Sequence, residues 1–218
     1  MTKKQTKQEI TAENNGHVKF NVYNGKGKSK ELKTLEELKE DFKKAFEQNG
    51  VLYQEDVLDA LGEKNMTLSI PKTNATFKLG DATVKVLYVG TEDESDLNDT
   101  SIVLKVTYQN VSFLLTGDAS TKVEEKLNPA DLESTVLKVG HHGSSTATNE
   151  KFLNTVNPKY AIISVGENNQ YEHPHTTVLN TLAAHNITTY RTDQDGTIKV
   201  ITDGTNIEIN TSKTDTNG

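Results

Sequence analysis

Six histidines occur in this chain, and four of them stand in two tight clusters, His141-His142 and His173-Pro174-His175. Imidazole binds divalent metals through a neutral ring nitrogen and moves protons near neutral pH. The chain has no cysteine, which removes thiolate sites and disulfides, so any metal here must be held by His, Asp, Glu or Asn. Asp118, in Leu114-Leu115-Thr116-Gly117-Asp118-Ala119, is the carboxylate placed to join such a set, because it follows an apolar strand-like run and a glycine step. Taken alone, Gly117-Asp118 also reads as an ordinary turn. Ser144, in Gly140-His141-His142-Gly143-Ser144, adds a hydroxyl beside the first cluster. A third candidate is the acidic stretch Glu92-Asp93-Glu94-Ser95-Asp96-Leu97-Asn98-Asp99, which charge alone makes a solvated loop and at most a weak cation site.

These side chains need elements that bring them together. From Thr76 the pattern is one of strands, at residues 77–79, 84–89, 101–108 and 111–115, expected to pair antiparallel in sequence order with a turn at Gln109-Asn110. Short apolar runs at 135–139, 160–165, 188–191 and 197–201 then alternate with helical spacing at 122–127, 150–156 and 176–184, which predicts a layered α/β arrangement. Asp118 and His141-His142 each follow a strand, so both should sit at strand ends along one sheet edge, where ligands bind in such folds. Upstream, Thr34 and Glu37 form a capping box, and Leu35, Leu38, Phe42, Ala45 and Phe46 recur at helical spacing up to Asn49-Gly50. A short helix at 54–61 and an alternating stretch at Met66, Leu68 and Ile70 complete that region, and residues 206–209 close a last hairpin through Asp203-Gly204.

With 218 residues and 33% hydrophobic content, the chain is long enough for one substantial core. The expected organisation is a polar arm over residues 1–16, one domain over 17–210 and a disordered tail over 211–218. No apolar run reaches the roughly 18 residues that would span a bilayer. A net charge of −7 argues against a general nucleic-acid-binding field, and the lysines at 26, 28, 30 and 33 alternate with acids as a solvated face would.

Taken in order, Asn98-Asp99-Thr100-Ser101-Ile102-Val103-Leu104, then Phe113 to Ala119, Leu137-Lys138-Val139-Gly140-His141-His142-Gly143-Ser144, Ser164-Val165-Gly166, Tyr171-Glu172-His173-Pro174 and Tyr190-Arg191-Thr192-Asp193 with Gly196 resemble the ComEC-type competence branch of the metallo-β-lactamase superfamily. The match runs over roughly residues 76–204. The resemblance implies an α/β fold, an αβ/βα sandwich incomplete at its N-terminal side, with Asp118 as a metal-bridging carboxylate and His141 or His142 as the late histidine ligand. It places Asn98 and Asp99 where many relatives carry a further ligand. One or two Zn²⁺ or Mn²⁺ ions would activate water toward a phosphodiester, with His142, His173 and Ser144 able to touch the substrate or the leaving group.

The family's principal motif, His-x-His-x-Asp-His, is absent, and upstream of residue 100 the sole histidine is His17. Asp118 and one imidazole cannot fill a two-metal site, so the chain reads as an incomplete hydrolase whose other ligands come from an upstream segment or another chain. The resemblance further implies single-stranded DNA as substrate, a membrane channel segment upstream, and a place outside the cytoplasmic membrane; a free-standing protein of this sequence would be cytoplasmic. A small-molecule or cell-wall phosphodiester fits the same chemistry. The alternative from another class is a non-catalytic binding module that keeps the fold's C-terminal half.

Overall fold

The computed structural model of the chain describes residues 71–91 and 94–213 in full, together with three short strands at residues 10–12, 18–20 and 33–34. The chain divides into two compact units, Met1–Ile70 and Pro71–Gly218. In the first, β1 (Ile10–Ala12), β2 (Val18–Phe20) and β3 (Lys33–Thr34) form an antiparallel sheet in that order. β1 lies in the stretch that composition alone assigns to an arm; three residues of pairing are too few to leave a periodic signal. The helices expected after Thr34 and at 54–61, and the alternation at 66–70, lie outside the described residues.

The second unit is built on one seven-stranded mixed sheet. Its antiparallel half is β4 (Thr76–Leu79), β5 (Ala82–Val89), β6 (Ile102–Tyr108) and β7 (Val111–Leu115), each paired with the next as the sequence predicts. Its parallel half adds β8 (Val136–Lys138), β9 (Tyr160–Ile163) and β10 (Thr188–Arg191) beyond β7, giving the order β10-β9-β8-β7-β6-β5-β4. β11 (Ile198–Thr202) and β12 (Ile207–Thr211) form a separate hairpin across Asp203-Gly204. The α/β class expected from the alternation is therefore the architecture found.

Helices α1 (Thr121–Glu124), α2 (Glu150–Val156) and α3 (Thr176–Ala184) link the parallel strands, and a short α4 (Thr192–Asp195) follows β10. Each of the first three starts at a polar residue, and the Ser120 and Asn149 side chains accept backbone N–H groups there. α1 is shorter than the spacing at 122–127 predicts. Val123 and Leu127 are both buried, but the backbone turns into a 3-10 segment at Pro129–Asp131. One face of the sheet, carrying Leu87, Val103, Leu114, Leu137, Ala161 and Ile163, packs on Val123, Phe152, Leu153, Val156, Val178 and Leu182 of these helices. That dry core fixes the strand ends from which the polar residues project.

Candidate metal and catalytic site

Parallel pairing puts the C-terminal ends of β7, β8 and β9 side by side, and each continues into a polar turn. After β7, the buried Thr116 donates its hydroxyl to the Lys138 carbonyl at 3.1 Å, and Gly117 adopts φ +59°, which turns the chain outward at Asp118. The Asp118 amide donates to Ser101 Oγ at 3.0 Å, and the Ser120 amide donates to Asp99 Oδ1 at 3.0 Å. After β8, the His141 amide donates to the Gly117 carbonyl at 3.0 Å and ties the two turns together.

The His141-His142 turn is strained. Both histidines have left-handed backbones, at φ 46° and 54°, a region that non-glycine residues enter at a cost of about 1–2 kcal/mol each. Neighbouring contacts hold them there. Gly143 lies against Pro174 so closely that an added Cβ would come within 2.5 Å of the proline Cβ, and the His175 amide donates to the Gly143 carbonyl at 2.9 Å.

His142 faces the carboxylate. Its Nδ1 lies 2.7 Å from the Ser164 carbonyl; a carbonyl only accepts, so Nδ1 carries a proton, and Nε2 is the lone-pair nitrogen whenever the ring is neutral. That Nε2 is 3.5 Å from Asp118 Oδ1, and both side chains are about half exposed. A backbone carbonyl that fixes the tautomer of an imidazole is the usual support of a metal-ligating histidine. Asp118 and His142 thus fit two ligands of a metal site by donor type, orientation and access. His141 turns instead toward Thr146, with Nδ1 3.3 Å from its hydroxyl.

A second group of rings adjoins the first. The His173 ring is 5.5 Å from that of His141, 4.8 Å from that of His175 and 5.7 Å from that of the exposed Tyr171, on which it stacks. Asn169 grips His173 at both its amide and its carbonyl. Burial, and then the neighbouring histidines, hold His173 below the usual histidine range and so favour its neutral form. Burial lowers Lys138 as well, against the pull of Asp118 in the opposite direction.

The remaining candidates lie apart. Asp99 is fully buried with Oδ1 on the Ser120 amide, and Asn98 donates its amide group to Asp96 Oδ1 at 2.9 Å. In this arrangement the Asn98-Asp99 stretch braces the Asp118 turn. Ser144 is buried with its hydroxyl 3.0 Å from that of Thr146, so it is engaged within its own turn. Among the described residues no group of three or more His, Asp or Glu side chains is arranged to hold a metal ion. Sequence reasoning missed Ser101 and Ser164, which act on the site through one hydroxyl and one carbonyl, and Glu124, a charged residue in a charged run that turns out to be buried.

The chain is similar in sequence to known competence proteins. The chain is 39% identical to ComE operon protein 3 of Bacillus subtilis (strain 168) over 147 residues, which is 66% of this chain and 19% of that protein. It is 44% identical to Competence protein ComA of Neisseria gonorrhoeae over 107 residues, 48% of this chain and 16% of that protein. With Recombination protein 2 of Haemophilus influenzae it shares 37% over 117 residues, 54% of this chain and 15% of that protein. The chain therefore spans a fifth or less of the length of these relatives. The profile of the Metallo-beta-lactamase superfamily, whose members typically bind metal ions, matches residues 25–167. Since that match covers more than half of its length, the chain belongs to the metallo-β-lactamase superfamily.

Proposed function

We propose that this chain contributes Asp118 and His142 to a metal centre that hydrolyses a phosphodiester, in a protein that serves DNA uptake as its competence relatives' names suggest. The observation that carries the reading is the Asp118–His142 pair, with the imidazole locked by Ser164 so that its free nitrogen faces the carboxylate. A bound Zn²⁺ or Mn²⁺ would lower the pKa of water toward neutrality and supply hydroxide. His142 and Asp118 hold and orient; His173, kept neutral, accepts a proton from the attacking water or relays one to the leaving oxygen. The oxygens of Ser144 and Thr146 shape the turn that carries the histidines. Single-stranded DNA is the substrate of this reading, and an upstream channel segment its partner.

Two protein ligands are fewer than the three that catalytic zinc sites use, so further donors must complete the centre. The sequence contains no His-x-His-x-Asp-His, and this favours the alternative of a binding module that keeps the fold without turnover. The deciding experiment is metal content and Mn²⁺- or Zn²⁺-dependent cleavage of bis-p-nitrophenyl phosphate and of a single-stranded oligonucleotide by the purified chain, beside Asp118→Ala. Stoichiometric metal and turnover, both lost in the variant, support the hydrolase. No metal and no turnover would overturn catalysis by this chain by itself and leave either a centre completed by another segment or the binding module.

A further inference from the structure

Behind the histidine turn lies a buried carboxyl that the reading above does not use. Glu124, at the end of α1, is 5% exposed, and its Oε1 accepts the Thr148 amide at 2.5 Å. The Asn149 amide is a second backbone donor to the same carboxyl. Its Oε2 is buried with no hydrogen-bond partner among the described residues. Glu124 also lines a cavity of about 80 Å³ with Leu127, Leu132, Phe152 and Lys151, which is room enough for water to deliver or remove a proton.

Thr148 transmits that contact to the site. It is a buried β-branched residue with a left-handed backbone at φ +59°, a conformation that persists only where neighbours impose it. Its amide is held by Glu124, and its hydroxyl accepts the Gly140 amide at 3.2 Å, one residue before His141. The Thr121 amide, on the same helix as Glu124, donates to the Thr146 carbonyl at 2.9 Å, and the Thr146 hydroxyl meets His141. Residues 140–148 are thus clamped to α1 at two points, one of them ionisable.

We propose that Glu124 is a positioning residue for the Asp118–His142 site, gripping residues 140–148 tightly when ionised and loosely when protonated, so that the histidine turn responds to pH. This rests on Asp118 and His142 being the functional pair. A carboxylate accepts amide hydrogens more strongly than a carboxylic acid does, and a proton on Oε2 would add a donor with no acceptor nearby. The switch falls in a useful range, because burial pushes the carboxyl up to about 7, partly offset by the Thr148 and Asn149 amides and reinforced by the negative charge of Glu125. The charged groups around it are few: Glu125 on its own helix side and Lys151 from α2 line the cavity, the 148–149 turn contributes none, and neither do Leu127, Pro129 and Leu132.

The test is a pH titration of the full chain by NMR, following the Glu124 carboxyl carbon, the Thr148 and Gly140 amides and the His142 ring, in the wild type and in Glu124→Gln. The expected result is a carboxyl inflection near pH 7 that the Thr148 amide proton follows, moving downfield as pH rises, and that appears in Gly140 and the His142 ring. Those components vanish in Glu124→Gln. A Glu124 that titrates in the ordinary carboxylate range overturns the proposal, and so does one that titrates near 7 without moving Gly140 or His142. If the variant fails to fold, the wild-type titrations alone decide between these results. Neither metal nor substrate is present in the experiment, so a failed hydrolysis assay would overturn the functional reading while this result stood or fell by itself.

Discussion

At the scale of single residues, the site depends on backbone conformations that side-chain chemistry has to enforce. Gly143 shows this most sharply, since a methyl group there would strike Pro174 and φ is +83°. Gly143→Ala should lower the melting temperature and displace the His142 ring, seen as loss of the Ser164-bonded Nδ1 proton in NMR spectra; an unchanged ring would count against this. Glu124 yields a stability prediction of opposite sign to most acids. Its folded pKa is raised from 4.5 to about 7, so its contribution is most favourable below pH 4.5 and is lost as pH rises through 7. The loss is on the order of 3 kcal/mol. Glu124→Gln has no such dependence. Between pH 5 and pH 8 the wild type should therefore lose more stability than the variant, measured by urea unfolding at both values, and equal losses would refute it.

Among the elements, the strands were legible because period-two alternation and Gly, Asn and Asp turns carry over directly into the β4 to β9 order. That Asp118 and the histidine pair share an edge followed from their positions after β7 and β8. The choice between His141 and His142 was not legible. The directions of the two rings follow from two successive left-handed residues, for which no sequence pattern short of glycine exists. Nor was the inward turn of Asp99 or Glu124, because acidic residues in charged runs such as Lys122-Val123-Glu124-Glu125 ordinarily face water. The start of α2 shows how a cap acts. Asn149 accepts the Phe152 amide at 2.9 Å at the start of α2, so Asn149→Ala should cost about 1 kcal/mol in thermal or urea unfolding. In the β11–β12 turn, Asp203 accepts the Thr205 and Asn206 amides, and these bonds hold its carboxyl down at about 2. A lowered carboxyl stabilises above its unfolded value and loses that effect as pH falls through about 2, so this hairpin's amides should keep their exchange protection down to more acidic pH than an ordinary Asp turn allows.

On the scale of the whole molecule, the seven-stranded sheet is asymmetric. Helices cover one face, while the terminal strand β4 has all four side chains exposed, Phe77 at 50% and Leu79 at 64% among them. No helix among the described residues is long and apolar enough to cross a membrane. An exposed edge with apolar side chains invites pairing with another strand. Phe77→Lys with Leu79→Lys should reduce concentration-dependent association in light scattering and leave the melting temperature nearly unchanged; undiminished association would show that the edge is not the contact. The same sheet supports the two members of the proposed pair from different stretches of the chain. Asp118 takes its place from Gly117 and Ser101, within the β6–β7 region, but the His142 ring takes its direction from Ser164, just beyond β9. The support of the acid is therefore close to it in the chain, whereas the direction of the imidazole depends on the segment after β9 being docked. Capture of a metal by this pair would then report that the parallel half of the sheet has closed.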